Sequence, residues 1–513
     1  MLTRLIQQQI PIGSEVVFFL KTGREVVGVL DAMGRDYITL NNEKGLPKTI
    51  LADMIGGWDV LNDGEEENAD LLKKEHSHRE QPEPSDNQPE LLTDIQPEVM
   101  KKVFEIEDEF EEIDNPYAEY AEGGPVNDPE MFYGHEELIQ NIARSVRESR
   151  LQSKCIIIFG QKRAGKSSIL YHLKTLLSKE KDLIILDLGN IGSILDEHSL
   201  TPLLYQILWN ILRELKDEIE SRVIEGFDDL NLSFPNDLEF YHHPTPLMFF
   251  NNIFDDYRKK ISREGSWQNT RIVVLIDEFS YIYDFILSGK LPDSFMKNWK
   301  ALLQKNYFNA VLAGHDVMPK FKQRFPNEFG TTQDERVTYL RPEDAEKLID
   351  EPVRIGGRDG ESRYREQAIK RISNLTAGSP FYIQIICNRL VEYMNRKRAR
   401  LATEADVEQV KNELIRGVNA LVADKFDNLI NSGDTSKDAI SDEDALNVLK
   451  FIAKNTKNSQ DETCSQSSII CETLLPLDLI LDDLVKREVI EREREHYYRI
   501  RVGIFKEWLI ANM

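Results

Sequence analysis

The sequence predicts a multidomain chain: a small β barrel, an α/β P-loop NTPase core with a parallel sheet, a helical lid and a C-terminal winged helix. Three observations carry this. The apolar run Cys155-Ile-Ile-Ile-Phe159 leads at once into Gly160-Gln-Lys-Arg-Ala-Gly165-Lys166-Ser167-Ser168, and a helical pattern follows from Ile169 to Leu177. G-x-x-x-x-G-K-S thus lies between a strand and a helix, the context that gives the motif its meaning. A second apolar run, Arg271-Ile-Val-Val-Leu-Ile, ends in Asp277-Glu278 about 110 residues later, and open α/β sheets place ligands at the C-terminal ends of such strands. Strand patterns recur at 155–159, 183–188, 272–276 and 309–313, with helical patterns between them, notably at 200–220 and 293–305. That alternation belongs to a parallel sheet covered on both faces.

These residue types imply a chemistry. Gly160 and Gly165 let the backbone curl so that its N–H groups face phosphate oxygens, and the following helix adds the positive end of its dipole. Lys166 would reach the β- and γ-phosphates and the Ser167 hydroxyl would ligate Mg²⁺. The expected nucleotide contacts in the loop are Gly160, Arg163, Ala164, Gly165, Lys166, Ser167 and Ser168. Asp277 would hold the Mg²⁺ and its water, and Glu278 would orient and deprotonate the attacking water. Lys166 and Glu278 are therefore the expected catalytic pair, with ATP and Mg²⁺ as ligands.

At 513 residues, 41% of them hydrophobic, the chain exceeds one ordinary core and divides into several. Its net charge of −25 is uneven. Residues 62–122 hold 21 acidic and 5 basic side chains, a balance of −16, so the remaining 452 residues carry only −9. The acidity belongs to one segment and disfavours nonspecific nucleic-acid binding there. Cys155, Cys387, Cys464 and Cys471 form no CxxC pair and read as buried thiols in a reducing compartment. No apolar run approaches the roughly 18 residues of a membrane span, and the N-terminus lacks a secretory apolar region. The expectation is a soluble cytoplasmic protein.

In order along the chain, residues 1–61 alternate short strands with turns: Glu15-Val-Val-Phe-Phe-Leu, Glu25-Val-Val-Gly-Val-Leu, Asp36-Tyr-Ile-Thr-Leu, Lys48-Thr-Ile-Leu and Gly57-Trp-Asp-Val-Leu, the pattern of a compact barrel. Residues 62–114 are charged and contain Pro82, Pro84, Pro89 and Pro97, a linker composition, with a short helix expected between Leu91 and Phe110. The P-loop NTPase core spans 115–345, and its insert at 222–246 reads as a long loop. Residues 346–440 are helical, including Ser373–Arg400 and Ala405–Ala423. Residues 441–513 have winged-helix order: helix 443–454, a short segment near 468–475, helix 477–487, a hairpin over 489–502, and a last helix with Phe505 and Trp508. The second of these helices carries Asp478, Asp482 and Asp483, which phosphates would repel. The isolated segment is expected to bind duplex DNA no better than about 10⁻⁴ M, and Phe505 and Trp508 are expected to pack on the nucleotide core.

Two resemblances add to this. Residues 1–61 resemble Sm-like and related SH3-like barrels through the pattern from Lys21-Thr-Gly to Tyr37-Ile-Thr-Leu; Asp31-Ala-Met-Gly34 departs from the RNA-gripping form. From 115 to 513, the chain is similar to prokaryotic STAND-type, AAA-related ATPases, whose layout archaeal origin-recognition ATPases share. The motifs are Phe132-Tyr-Gly134-His135-Glu136, the Gly-Gln-x-Arg-x-Gly-Lys-Ser-Ser loop, Asp277-Glu278, Ala310-Val-Leu-Ala-Gly314-His315, Leu340-Arg-Pro-Glu-Asp and Gly378-Ser-Pro380. The resemblance implies that Tyr133 and Gly134 line an adenine pocket, with His135 where the family has Arg. It implies that Pro380 of the lid touches the nucleotide, beside the plainer reading of a proline in a first helical turn. It places His315 and Asp316 where a γ-phosphate sensor sits, beside the reading of a loop turn, and offers Arg324, Arg336 and Arg341 as candidate fingers. The function it implies is a slow ATP-dependent signalling switch in prokaryotic defence or stress response. A protein partner would engage the barrel or acidic linker, and the chain would assemble with further copies of itself. The alternative is an origin-recognition-like or Sm-like nucleic-acid-binding ATPase.

Overall fold

A computed structural model gives the fold. It describes the backbone of five strands between residues 15 and 60, and residues 110–149, 152–194, 202–221, 233–261, 269–418, 420–457 and 462–513. The predicted acidic linker up to residue 109, and with it the helix expected from Leu91, lies outside the described residues. The chain divides into two units, Met1–Ile106 and Glu107–Met513.

In the first unit the five expected strands form: β1 (Glu15–Leu20), β2 (Glu25–Met33), β3 (Tyr37–Asn41), β4 (Pro47–Leu51) and β5 (Ile55–Val60). They pair antiparallel in the order β4-β3-β2-β1-β5. Val16 lies opposite Gly28 on β2 and Val60 on β5, so β5 returns to the free side of β1. Among the described residues no pairing joins β4 to β5.

The second unit is built on a parallel sheet in the order β10-β6-β9-β8-β7. Its strands are β6 (Cys155–Phe159), β7 (Leu183–Asn190), β8 (Arg271–Asp277), β9 (Asn309–Gly314) and β10 (Gln333–Arg336). The first four occupy the predicted positions. The fifth was not expected, because Gln-Asp-Glu-Arg shows no apolar alternation. It is an edge strand held by backbone pairing, from Gln333↔Ile156 to Arg336↔Phe159. The β-branched runs alternate between faces. Ile157, Ile184, Leu186, Val274 and Leu312 pack under the helices Leu203–Ser221, Pro246–Ile261 and Ser294–Gln304. Ile156, Ile158, Ile185, Val273 and Val311 pack under Glu136–Glu148 and Lys166–Leu177. Both faces are covered, as the unbroken apolar strands required.

Three helical expectations need correction. The insert is not a plain loop: Asn236 and Glu239 form a capping box for a short helix, Asp237–Tyr241, and the next helix begins at Pro246. The stretch Ser373–Arg400 is two helices, Glu366–Thr376 and Pro380–Lys397. Ala377 and Gly378 break it with φ of 51° and 78°, both in the left-handed region that ends helices. A Cβ on Gly378 would meet the Leu340 carbonyl oxygen at 2.6 Å, and Leu340 N–H donates to Gly378 O at 2.9 Å. The break thus stitches the lid to the end of the core. The lid helix that follows ends at Arg416, short of Ala423.

Residues 442–511 supply the helices Asp442–Thr456 and Leu477–Lys486, the hairpin of β12 (Ile490–Arg494) and β13 (Tyr497–Ile500), and the last helix Gly503–Ala511. A short strand β11 (Cys464–Ser465) pairs with β13. The expectation that Phe505 and Trp508 pack on the nucleotide core is corrected. Both rings lie against Phe426, with centroids 5.2 and 5.0 Å away, and Phe505 belongs to one apolar cluster with the lid's Leu375 and Leu414. Trp508 Nε1 also donates to Leu421 O at 3.0 Å. Trp508→Phe keeps the ring and loses that bond. It is expected to lower stability by about 1 kcal/mol, read as a shift in the urea unfolding midpoint.

Candidate functional site

The strand order decides what meets what. β9 lies between β6, which feeds the P-loop, and β8, which ends in Asp277. The residue after β9, His315, is therefore delivered between the start of the P-loop and the acidic pair. The loop needs its first glycine: Gly160 has φ of 154°, and a Cβ there would stand 2.2 Å from the Val337 carbonyl oxygen. Arg163, at φ 66°, and Gly165, at φ 97°, complete the curl. Lys166 is buried, and its Nζ donates to the carbonyls of Gly160 at 3.0 Å and Gln161 at 2.7 Å. Burial lowers its pKa, while Glu278, Asp316 and Asp277 draw it back up.

Ser167 Oγ donates to Asp277 Oδ2 at 2.6 Å. Two hard oxygen donors from a helix start and a strand end thus converge, the donor set suited to Mg²⁺. Burial raises the Asp277 pKa, with the Ser167 hydrogen bond opposing it. Glu278 has φ of 57°, strained for a residue with a side chain, and its N–H donates to Asp277 Oδ1 at 2.9 Å. The turn points its carboxylate to His315, with Oε2 2.7 Å from Nε2. The contact is within ion-pair distance, and His315 Nδ1, the other ring nitrogen, is buried without a hydrogen-bond partner. Burial raises a carboxyl, but His315, and then Lys166 and Lys162, outweigh it and hold Glu278 below its ordinary pKa.

A cavity of about 300 Å³ lies over these groups, between core and lid. Of the residues singled out in the sequence, Tyr133, Arg163, Ala164, Gly165, Lys166, Ser167, Ser168, Glu278, His315 and Pro380 line it. Gly134, Gly160 and Asp277 are not among its lining residues; Asp277 reaches the site through Ser167. Ser168 also binds within the chain. Its Oγ accepts from Val126 N–H at 2.8 Å, and His172 Nε2 lies 3.1 Å from Val126 O, so the P-loop helix pins the lead-in that forms one wall. On that wall the Tyr133 and His135 side chains carry buried polar atoms without partners, Oη and Nε2. Burial pushes the Tyr133 pKa up to about 12 and lowers that of His135. Pro380 opens the lid helix at the cavity, followed by Phe381 and Gln384.

Sequence reasoning missed the ties between the P-loop and the C-terminal half. Gln161 accepts from Tyr339 Oη and donates to Arg487 O, each at 2.7 Å. Arg163 stacks 4.2 Å over the Phe381 ring and donates to Lys425 O at 2.8 Å. The Gln and Arg of the loop motif were the only signal, and their partners lie more than 170 residues away. The candidate fingers are each engaged within the chain. Arg324 pairs with Asp293 at 3.1 Å, Arg341 with Asp344 at 3.2 Å, and Arg336 donates to Lys486 O and lies 3.7 Å from Glu488.

Neither a protein-family model nor a curated protein matches the chain. Solved structures do. A Walker-type ATPase of Pyrococcus abyssi is 14% identical over 76% of this chain and 99% of its own, at a TM-score of 0.45. The Aeropyrum pernix ORC2 protein in ADPNP–ADP complexes is 13% identical over 77% and 98%, at 0.44. Drosophila ORC bound to DNA is 12% identical over 84% and 96%, at 0.37. Among the described residues no helix is long and apolar enough to cross a membrane.

Proposed function

We propose that the chain is a Mg²⁺-dependent ATPase that couples its nucleotide to the position of the lid and C-terminal region. The single observation that carries this is the convergence of Lys166, Ser167, Glu278 and His315, with Asp277 behind Ser167, at one end of a cavity that residues of the helix Pro380–Lys397 also line. Lys166 leaves the loop carbonyls for the β- and γ-phosphates, and the P-loop N–H groups cradle them. When bound, Mg²⁺ held by Ser167 and Asp277 neutralises charge on the phosphate oxygens. Glu278, ionised and held by His315, orients the attacking water and takes its proton. Tyr133 and His135 stand on the base side, and Pro380 and Phe381 report the nucleotide to the lid. ATP binding measured by calorimetry with and without Mg²⁺, together with phosphate release, tests the reading; absence of both would overturn it.

Two finer readings differ in what the switch acts on. The STAND-type signalling switch, with a protein partner and self-assembly, rests on the sequence motifs. The origin-recognition-like reading, with DNA as partner, has its own observation in the exposed arginines of the C-terminal hairpin, Arg492, Arg494 and Arg499. Arg492 and Arg499 are paired with Asp482 and Glu491 at 2.9 and 2.7 Å, while Arg494 stacks 3.9 Å over Tyr497. The helix Leu477–Lys486 opposes DNA contact: Asp478 and Asp482 are exposed, and its end is tied to the core through Arg336 and Gln161. The full chain is expected to bind duplex DNA no tighter than about 10⁻⁴ M at physiological salt. A filter-binding series over salt concentration checks this; sequence-dependent submicromolar binding would establish the origin-recognition-like reading instead.

A further inference from the structure

Two cavities meet at the catalytic end of the P-loop. Beyond the nucleotide cavity, a second of about 390 Å³ lies between the core and residues 431–442. Lys162, Tyr281 and His315 line both, so they form the wall between them. This is the end of the nucleotide cavity that holds Glu278, opposite the base side of Tyr133 and His135.

Three P-loop cations line the nucleotide cavity, and they are held very differently. Lys166 is buried in the loop, bonded to two carbonyls. Arg163 is committed to Phe381 and Lys425 O. Among the described residues, the one ion pair of Lys162 is with Asp427, whose Oδ2 is 3.8 Å from its Nζ, with both side chains 40% exposed or more. A pair at that separation and exposure is weak and gives up its cation readily. Arg324, Arg336 and Arg341, the arginines that could have served as fingers, are not among the residues lining the nucleotide cavity.

We propose that Lys162 is the chain's own catalytic cation for the γ-phosphoryl group, released from Asp427 to stand against the γ-phosphate oxygens as charge develops there. This rests on the ATPase reading above. In the step, the water oxygen forms its bond to the γ-phosphorus and the bond to the β–γ bridging oxygen breaks. Glu278 takes the water proton, ADP leaves with the electron pair, and Lys162 neither gives nor takes a proton. Its contribution is electrostatic, the part that an arginine finger from a second molecule plays in other P-loop enzymes.

The test compares steady-state turnover and calorimetric Mg·ATP affinity in full-length Lys162→Ala, Lys162→Arg, Asp427→Asn and Glu278→Gln. Lys162→Ala is expected to lower kcat at least about tenfold, with Kd changed by less than about threefold. Lys162→Arg restores most of the rate, and Asp427→Asn keeps kcat or raises it. Unchanged kcat in Lys162→Ala, while Glu278→Gln lowers turnover at least about tenfold, overturns the role of Lys162 and leaves the site standing. Equal losses in Lys162→Ala and Asp427→Asn also overturn it, by making the pair a structural tie. If neither Lys162→Ala nor Glu278→Gln changes turnover, it is the ATPase site that is misplaced.

Discussion

Replacing Glu278 by glutamine is expected to lower ATP turnover at least about tenfold while ATP stays bound. The substitution keeps size and hydrogen-bonding capacity and removes the base. Glu278 sits on a left-handed backbone position, one residue past Asp277 and 2.7 Å from His315. A glutamine fits the same turn, so the Ser167–Asp277 contact and the cavity persist. The pH dependence carries a sign. The Glu278 pKa is lowered, so the ionised, working form is present throughout the neutral range. The limb of the rate profile that belongs to this carboxylate falls on the acid side of the ordinary glutamate value, and activity is lost as pH drops through it. Single-turnover phosphate release alongside equilibrium binding separates the two effects; equal turnover in both proteins would remove Glu278 from the chemistry.

Lys166→Ala is expected to abolish measurable ATP binding with the fold retained. Lys166 is the buried cation of the loop, and a charge facing phosphate makes bonds roughly twice as strong as neutral ones. Its hydrogen bonds go to two carbonyls of the same turn, so its loss removes no hydrogen bond between distant elements. Circular dichroism and thermal unfolding would report a folded chain, and calorimetry the loss of binding. Unchanged affinity in a folded Lys166→Ala protein would place the nucleotide elsewhere.

How much of the site could be read from the residues depends on how local each device is. G-x-x-x-x-G-K-S works through consecutive backbone groups and one helix start, so Gly160 to Ser167 carry their geometry in their spacing. β8 and its acidic end are legible for the same reason: the apolar run sets the strand, and its end sets where Asp277 and Glu278 emerge. The helix break at Ala377–Gly378 was harder to place within an otherwise helical stretch, because it answers to Leu340, a residue on another element. β10 was invisible, since an edge strand of charged residues is held by main-chain pairing that leaves no pattern in side chains.

By itself the sequence determined the elements and the chemistry of the P-loop and of β8, because both are set by neighbours along the chain. The tertiary structure decided which distant groups meet. The insertion of β9 between β6 and β8 turned His315 from one of two open readings into the neighbour of Glu278. The packing of the last helix on Phe426 sent Phe505 and Trp508 to the lid rather than to the nucleotide core. Ser168 was drawn to Val126, and Lys162 was left on a weak tie between two cavities. Each of these rests on contacts across tens to hundreds of residues, where strand order and burial choose among partners that the local sequence leaves equivalent.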